Sequence, residues 1–127
     1  MSSNEKIQRR VLVIEDDEAV GELLQNVLVA AGFEVLAAEN AVDGLSLYRR
    51  YCSSTLCVIL DYGIPGMHAA RLLQRFHEID DGVKVILSSG YPQQFIREDF
   101  PLDRIAGFIP KPYMPQTLLG ELSKLSA

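Results

Sequence analysis

Four short stretches of this 127-residue chain carry side chains that could do chemistry: Glu15-Asp16-Asp17-Glu18, Asp61-Tyr62-Gly63, Ser88-Ser89-Gly90 and Pro110-Lys111-Pro112. Brought together at one edge, they could set three of their carboxylates, a hydroxyl and one ammonium side by side. Carboxylates that crowd one another raise each other's pKa values, so such a set needs counter-charge. Lys111 supplies one positive charge, and a divalent cation would supply the rest. Oxygen-only donors with no His or Cys among them suit Mg²⁺ or Mn²⁺ rather than zinc. A metal beside an aspartate, a lysine and a hydroxyl can neutralise a phosphoryl group in transfer. An aspartate can itself be the nucleophile, forming an aspartyl phosphate. Each stretch alone has a plainer reading. Residues 15–18 suit a solvated helix N-terminus favoured by the dipole, Asp61 and Ser89 suit turns or caps, and Lys111 suits a solvated side chain. Their joint arrival at one place is what points to chemistry.

Those stretches follow β-rich runs. Strands are expected at 10–15, 33–38, 56–61, 83–88 and 107–109. Val11-Leu12-Val13-Ile14 and Leu56-Cys57-Val58-Ile59-Leu60 are continuously apolar, as in strands covered on both faces. Phe33, Val35 and Ala37 alternate with Glu34, which places that strand nearer an edge. Between the strands, Val20, Leu23, Leu24, Val27, Leu28 and Ala31 follow a helical period that Gly32 is placed to end. Asn40 with Asp43 reads as a helix start before Leu45 and Tyr48, and Ala69, Leu72, Leu73 and Phe76 form a third stripe. Pro92 fits the first turn of a shorter fourth helix, and Pro115 starts a fifth carrying Leu118, Leu119, Leu122 and Leu125. Five strand-then-helix units imply right-handed crossovers: an α/β domain with a doubly wound five-stranded parallel sheet. In such sheets ligands bind beyond the carboxyl ends of the strands, where all four stretches fall.

Composition narrows the class. Hydrophobic residues make up 48% and charged residues 23%, ordinary for a globular domain. One domain is expected over 1–127, with its core at about 10–125. A net charge of −5 with scattered Lys and Arg gives no nucleic-acid-binding face. No apolar run is long enough for a bilayer, and the first residues have no signal-peptide apolar region, so a cytoplasmic protein is expected. Cys52 and Cys57 have neither metal spacing nor a disulfide framework, and Cys57 reads as core. His68 and His77 read as surface or structural residues.

The motifs Val11-Leu12-Val13-Ile14-Glu15-Asp16-Asp17, Val58-Ile59-Leu60-Asp61-Tyr62-Gly63-Ile64-Pro65-Gly66-Met67, Val85-Ile86-Leu87-Ser88-Ser89-Gly90-Tyr91-Pro92 and Phe108-Ile109-Pro110-Lys111-Pro112-Tyr113 resemble the receiver domain of two-component response regulators. Each motif is weak alone. Their order, with 45 residues from Asp16 to Asp61 and 50 from Asp61 to Lys111, is specific. The resemblance implies the flavodoxin-like strand order 2-1-3-4-5, for which a member of this family is a standing example. It also implies roles. Asp61 is the phosphoacceptor for a phosphohistidine. Asp16 and Asp61 bind the metal directly, Glu15 binds it through a water, and Gly63 contributes its backbone carbonyl. Ser89, followed by the small Gly90, is the switch hydroxyl. Lys111 contacts a phosphoryl oxygen, and its bond to Pro112 is commonly cis in the family. Phe108 holds the aromatic switch position, although a core aromatic in a strand reads equally well there.

Two departures stand out. His68-Ala69 replaces the family's frequent Asp-Gly, and Gly63 and Tyr91 occupy the positions that influence autodephosphorylation. Gly63 offers no side chain to position water and Tyr91 can screen the site, so slow or moderate self-hydrolysis is expected. The implied partners are a histidine kinase or histidine phosphotransfer protein, and a downstream protein effector or fused output domain. The chain is expected to be a stand-alone receiver or one excised from a longer regulator or hybrid histidine kinase. Three rivals remain open. A haloacid-dehalogenase-type aspartate phosphatase wants an acid where Gly63 stands. A flavodoxin-like cofactor binder wants a phosphate-cradling loop where residues 15–18 would repel phosphate. A receiver-fold scaffold that is never phosphorylated would not need the full set of acids, hydroxyl and lysine.

Overall fold

The computed structural model describes residues 9–126. The elements alternate as β1 (Arg10–Ile14), α1 (Glu18–Ala30), β2 (Glu34–Ala38), α2 (Ala41–Tyr51), β3 (Thr55–Asp61), α3 (Ala69–Ile79), β4 (Val85–Ser89), α4 (Gln93–Ile96), β5 (Gly107–Pro110) and α5 (Pro115–Ser126). The five strands are parallel in the order β2-β1-β3-β4-β5, as the resemblance implies. β3 is buried along its whole length, whereas β2 is the half-exposed edge that its alternation predicts.

Strand periodicity sorts the core into two layers. Leu12, Ile14, Val58, Leu60, Val85 and Leu87 face α2 and α3, where Leu45, Tyr48, Leu72, Leu73 and Phe76 meet them. Val11, Val13, Cys57, Ile59, Ile86 and Ile109 face α1 and α5 through Leu24, Leu28, Leu118 and Leu122. Phe76 is fully buried and meets Tyr48 edge-on at 5.2 Å, a burial that contributes about 1.5–3 kcal/mol. Carried one step further, the second alternation places Glu15, Asp61 and Ser88 on the α1/α5 side at the carboxyl end of the sheet.

Local signals explain most boundaries. Asn40 caps α2 by accepting the Asp43 N–H at 2.9 Å. Gly32, at φ +96°, turns the chain after α1. Pro92 caps α4 from just outside, and α4 spans only four residues. β4 starts two residues later than expected because the Val83 N–H bonds the Asp80 carbonyl in a turn. Leu23, read into the α1 stripe, is 45% exposed. Among the described residues no helix is long and apolar enough to cross a membrane.

Candidate functional site

The chain ends of β1, β3, β4 and β5 build one acidic hollow. Asp61 closes β3 opposite Ser88 of β4, and Ser89 pairs with Pro110 of β5. The Lys111 N–H donates to the Ser89 carbonyl at 2.9 Å, which fixes the lysine beside the acids; the Lys111–Pro112 bond is cis. Lys111 Nζ lies 3.1 Å from Glu15 Oε1 and 3.3 Å from Asp61 Oδ1. One carboxylate oxygen each from Glu15, Asp16 and Asp61 lies within 4.8 Å of the others. Glu15 and Asp61 are buried, and Asp16 is exposed at the rim. The Gly63 N–H donates to Asp61 Oδ1 at 3.3 Å. Asp17 has the structural role open to it, since its Oδ1 accepts the Val20 N–H at 3.1 Å as the α1 N-cap.

The electrostatics follow from burial against pairing. Desolvation pushes the Glu15 carboxyl above its ordinary range and Asp61 adds to the rise, while the Asp17 N–H and Lys111 oppose it. Desolvation alone would lower Lys111, but Glu15 and Asp61 together hold its ammonium charged and raise its pKa. The hollow is therefore short of positive charge. Of the three clustered carboxylates, Lys111 pairs with two, and the donors are all oxygen. That donor set fits Mg²⁺ or Mn²⁺.

Ser89 is buried, and its Oγ accepts the Tyr91 N–H at 2.8 Å. Phe108 is half-buried on β5 against the α2/α3-side core. His68 caps α3, its Nδ1 accepting the Ala70 N–H at 3.1 Å. Its Nε2 is then the protonated nitrogen, which donates to Asp99 Oδ2 at 3.3 Å. The Tyr62 hydroxyl reaches both Asp99 oxygens at 2.8 and 2.9 Å, so the loop after Asp61 is tied to the segment after α4. Tyr62 is pushed up to about 12, by desolvation first and then by Asp99.

Two buried residues were given no role by sequence reasoning. Ser88 Oγ donates to the Tyr113 hydroxyl, which donates to Glu15 Oε1 at 3.4 Å. The only sequence signal was a hydroxyl residue inside the apolar β4 run. The partners of Tyr113 lie 25 and 98 residues away along the chain, beyond any local pattern.

The family model for the response regulator receiver domain matches residues 11–123. The chain belongs to that family. This receiver is 29% identical over 118 residues to the response regulator receiver protein CpdR of Brucella abortus, a match covering 92% of this chain and 96% of CpdR. It is 28% identical to the chemotaxis protein CheY of Bacillus subtilis, covering 91% and 95% of the two chains. A match at 29% identity to the sensor kinase CckA of Brucella abortus covers 91% of this receiver but only 12% of the kinase. Among solved structures, a CheY-like receiver domain from Methanospirillum hungatei superposes with a TM-score of 0.82 at 28% identity, over 92% and 93% of the two chains. The receiver fold of two-component signalling thus accounts for the sheet order and for the place of the acidic hollow.

Proposed function

We propose that this chain acts as a single cytoplasmic receiver domain in which Asp61 accepts a phosphoryl group from a phosphohistidine. The donor would be a histidine kinase or a histidine phosphotransfer protein. The observation that carries the reading is Lys111 Nζ bridging Glu15 and Asp61 within the three-carboxylate cluster. Asp16 and Asp61 directly, Glu15 through a water, and the Gly63 carbonyl would hold Mg²⁺ or Mn²⁺. Once bound, the ion supplies positive charge against the phosphoryl oxygens.

The chain's own groups do the rest. An Asp61 carboxylate oxygen attacks phosphorus; the O–P bond forms as the P–N bond breaks, and that electron pair stays on the imidazole nitrogen. Lys111 moves its ammonium toward a phosphoryl oxygen as a point charge. Ser89 keeps its Tyr91 N–H contact through Oγ while donating its own hydrogen to the phosphoryl group. Ser89 and Phe108 then bias a two-state equilibrium of α4, β5 and α5, the face offered to a downstream protein effector or a fused output domain. A shift from 1:99 to 99:1 takes about 5.5 kcal/mol, so a partial shift is the economical outcome.

Intact mass after incubation with acetyl phosphate and Mg²⁺ tests the proposal. One added phosphoryl group is expected, lost in Asp61→Asn and on chelation. Failure to take up phosphoryl from both acetyl phosphate and phosphorylated kinase domains would leave a receiver-fold scaffold in its place.

A further inference from the structure

The hydroxyl chain Ser88–Tyr113–Glu15 crosses from β4, through the segment before α5, to the end of β1. Ser88 is wholly buried next to the aliphatic run Val85-Ile86-Leu87 of β4, and Tyr113 is 8% exposed. A buried hydroxyl without a partner is destabilising where a small aliphatic residue would pack, so the pair needs a reason to exist. The reason lies at its far end. Glu15 Oε2 is held by the Asp17 N–H at 3.1 Å, and Oε1 is shared between Lys111 Nζ at 3.1 Å and the Tyr113 hydroxyl at 3.4 Å. The longer contact to Tyr113 leaves the ammonium as the main donor to Oε1 in this state.

We propose that Tyr113 is a positioning residue for phosphoryl transfer. Its hydroxyl, oriented by Ser88, keeps the Glu15 carboxylate aimed at the metal-binding edge and satisfies Oε1 when Lys111 turns to the phosphoryl group. The inference rests on the phosphoacceptor reading above. Without the hydroxyl, departure of Lys111 would leave a buried carboxylate oxygen with no donor, and only the Asp17 N–H at Oε2 would still hold Glu15. Ser88 makes the arrangement directional: by donating to Tyr113, it leaves the tyrosine hydrogen for Glu15.

Tyr113→Phe isolates the hydroxyl, because the ring and its 5.9 Å approach to Lys111 Nζ are retained. Mg²⁺ affinity is measured by calorimetry with no phosphodonor present, and acetyl phosphate uptake is followed against Mg²⁺ concentration. The expected result is Mg²⁺ affinity weakened about tenfold, with the maximum uptake rate restored at high Mg²⁺. Ser88→Ala should shift the affinity in the same direction by less, and the double variant should be no worse than Tyr113→Phe alone. Wild-type Mg²⁺ affinity in Tyr113→Phe would overturn the inference, even with a lowered thermal midpoint, since that is what a merely structural hydroxyl gives. If Tyr113→Phe does not fold, unchanged affinity in Ser88→Ala overturns it instead. A wild-type protein that neither binds Mg²⁺ nor takes up phosphoryl overturns the phosphoacceptor reading and this one together. A wild-type protein that does both, with Tyr113→Phe indistinguishable from it, overturns this one alone.

Discussion

At the scale of single residues, the hollow is governed by the imbalance between three clustered carboxylates and one ammonium. Lys111→Met removes the charge that Glu15 and Asp61 share, and phosphoryl uptake at saturating Mg²⁺ is expected to fall about 10²–10³-fold. Mg²⁺ binding should persist in the same variant, because the acids lose a competitor for their oxygens. Lys111→Arg should not restore the rate, since a planar fork does not reproduce a compact point charge between two carboxylates. The raised Lys111 pKa fixes the sign of the pH dependence. Its attraction is fully present below the ordinary lysine value and is lost only as pH climbs through the higher folded value, so lysine deprotonation does not limit uptake at neutral pH. Two residues beyond Asp61, Gly63 has open space where a Cβ would stand. Gly63→Asn should therefore fold normally, add a polar group able to orient water, and shorten the phosphoryl lifetime. In the native chain that lifetime is expected to exceed seconds, and the time course of mass loss after donor removal measures both.

At the scale of elements, the strands and the site were legible for the same reason. Continuous apolar runs marked β1 and β3, and the polar residues ending those runs had to fall at one edge once the strands were parallel. Ranges were less legible where a turn competed: Val83 belongs by type to a strand, yet its N–H is taken by Asp80. The hydroxyl chain and the Tyr62–Asp99–His68 tie were not legible, because both join residues that no helical or strand period relates. The tie has its own consequence. Tyr62 follows Asp61 directly and holds Asp99 just beyond α4, so Tyr62→Phe should raise amide hydrogen exchange in residues 93–100 and leave α3 protected. Within β3, desolvation pushes the Cys57 thiol up to about 12. The neutral thiol is thus the folded form at neutral and mildly alkaline pH. A disulfide reagent should label half-buried Cys52 in the native protein and reach Cys57 only with denaturant; fast native labelling of both would contradict the buried, protonated thiol.

At the scale of the whole molecule, the fold concentrates its least favourable electrostatics at the one place where a ligand would relieve them. Two core layers, on the α2/α3 side and the α1/α5 side, clamp the sheet. Its carboxyl edge is left to hold Glu15 and Asp61 buried and Asp16 at the rim. Repulsion among these acids opposes folding in the absence of a cation, and a cation would bind only where folding has gathered them. Mg²⁺ should therefore stabilise the native state by mass action, by about 2.7 kcal/mol at a hundredfold excess over its Kd. For a domain of this size that is a rise in thermal midpoint on the order of 10 °C, reversed by chelation. Asp61→Asn separates the two contributions. Replacing one acid relieves repulsion, so the metal-free variant should melt at or above the metal-free native chain, while its response to Mg²⁺ should shrink sharply. Equal Mg²⁺ shifts in the two proteins would place the ion elsewhere on this acidic surface. A metal-free variant that melts well below the native chain would mean that the Lys111–Asp61 contact outweighs the repulsion it sits in.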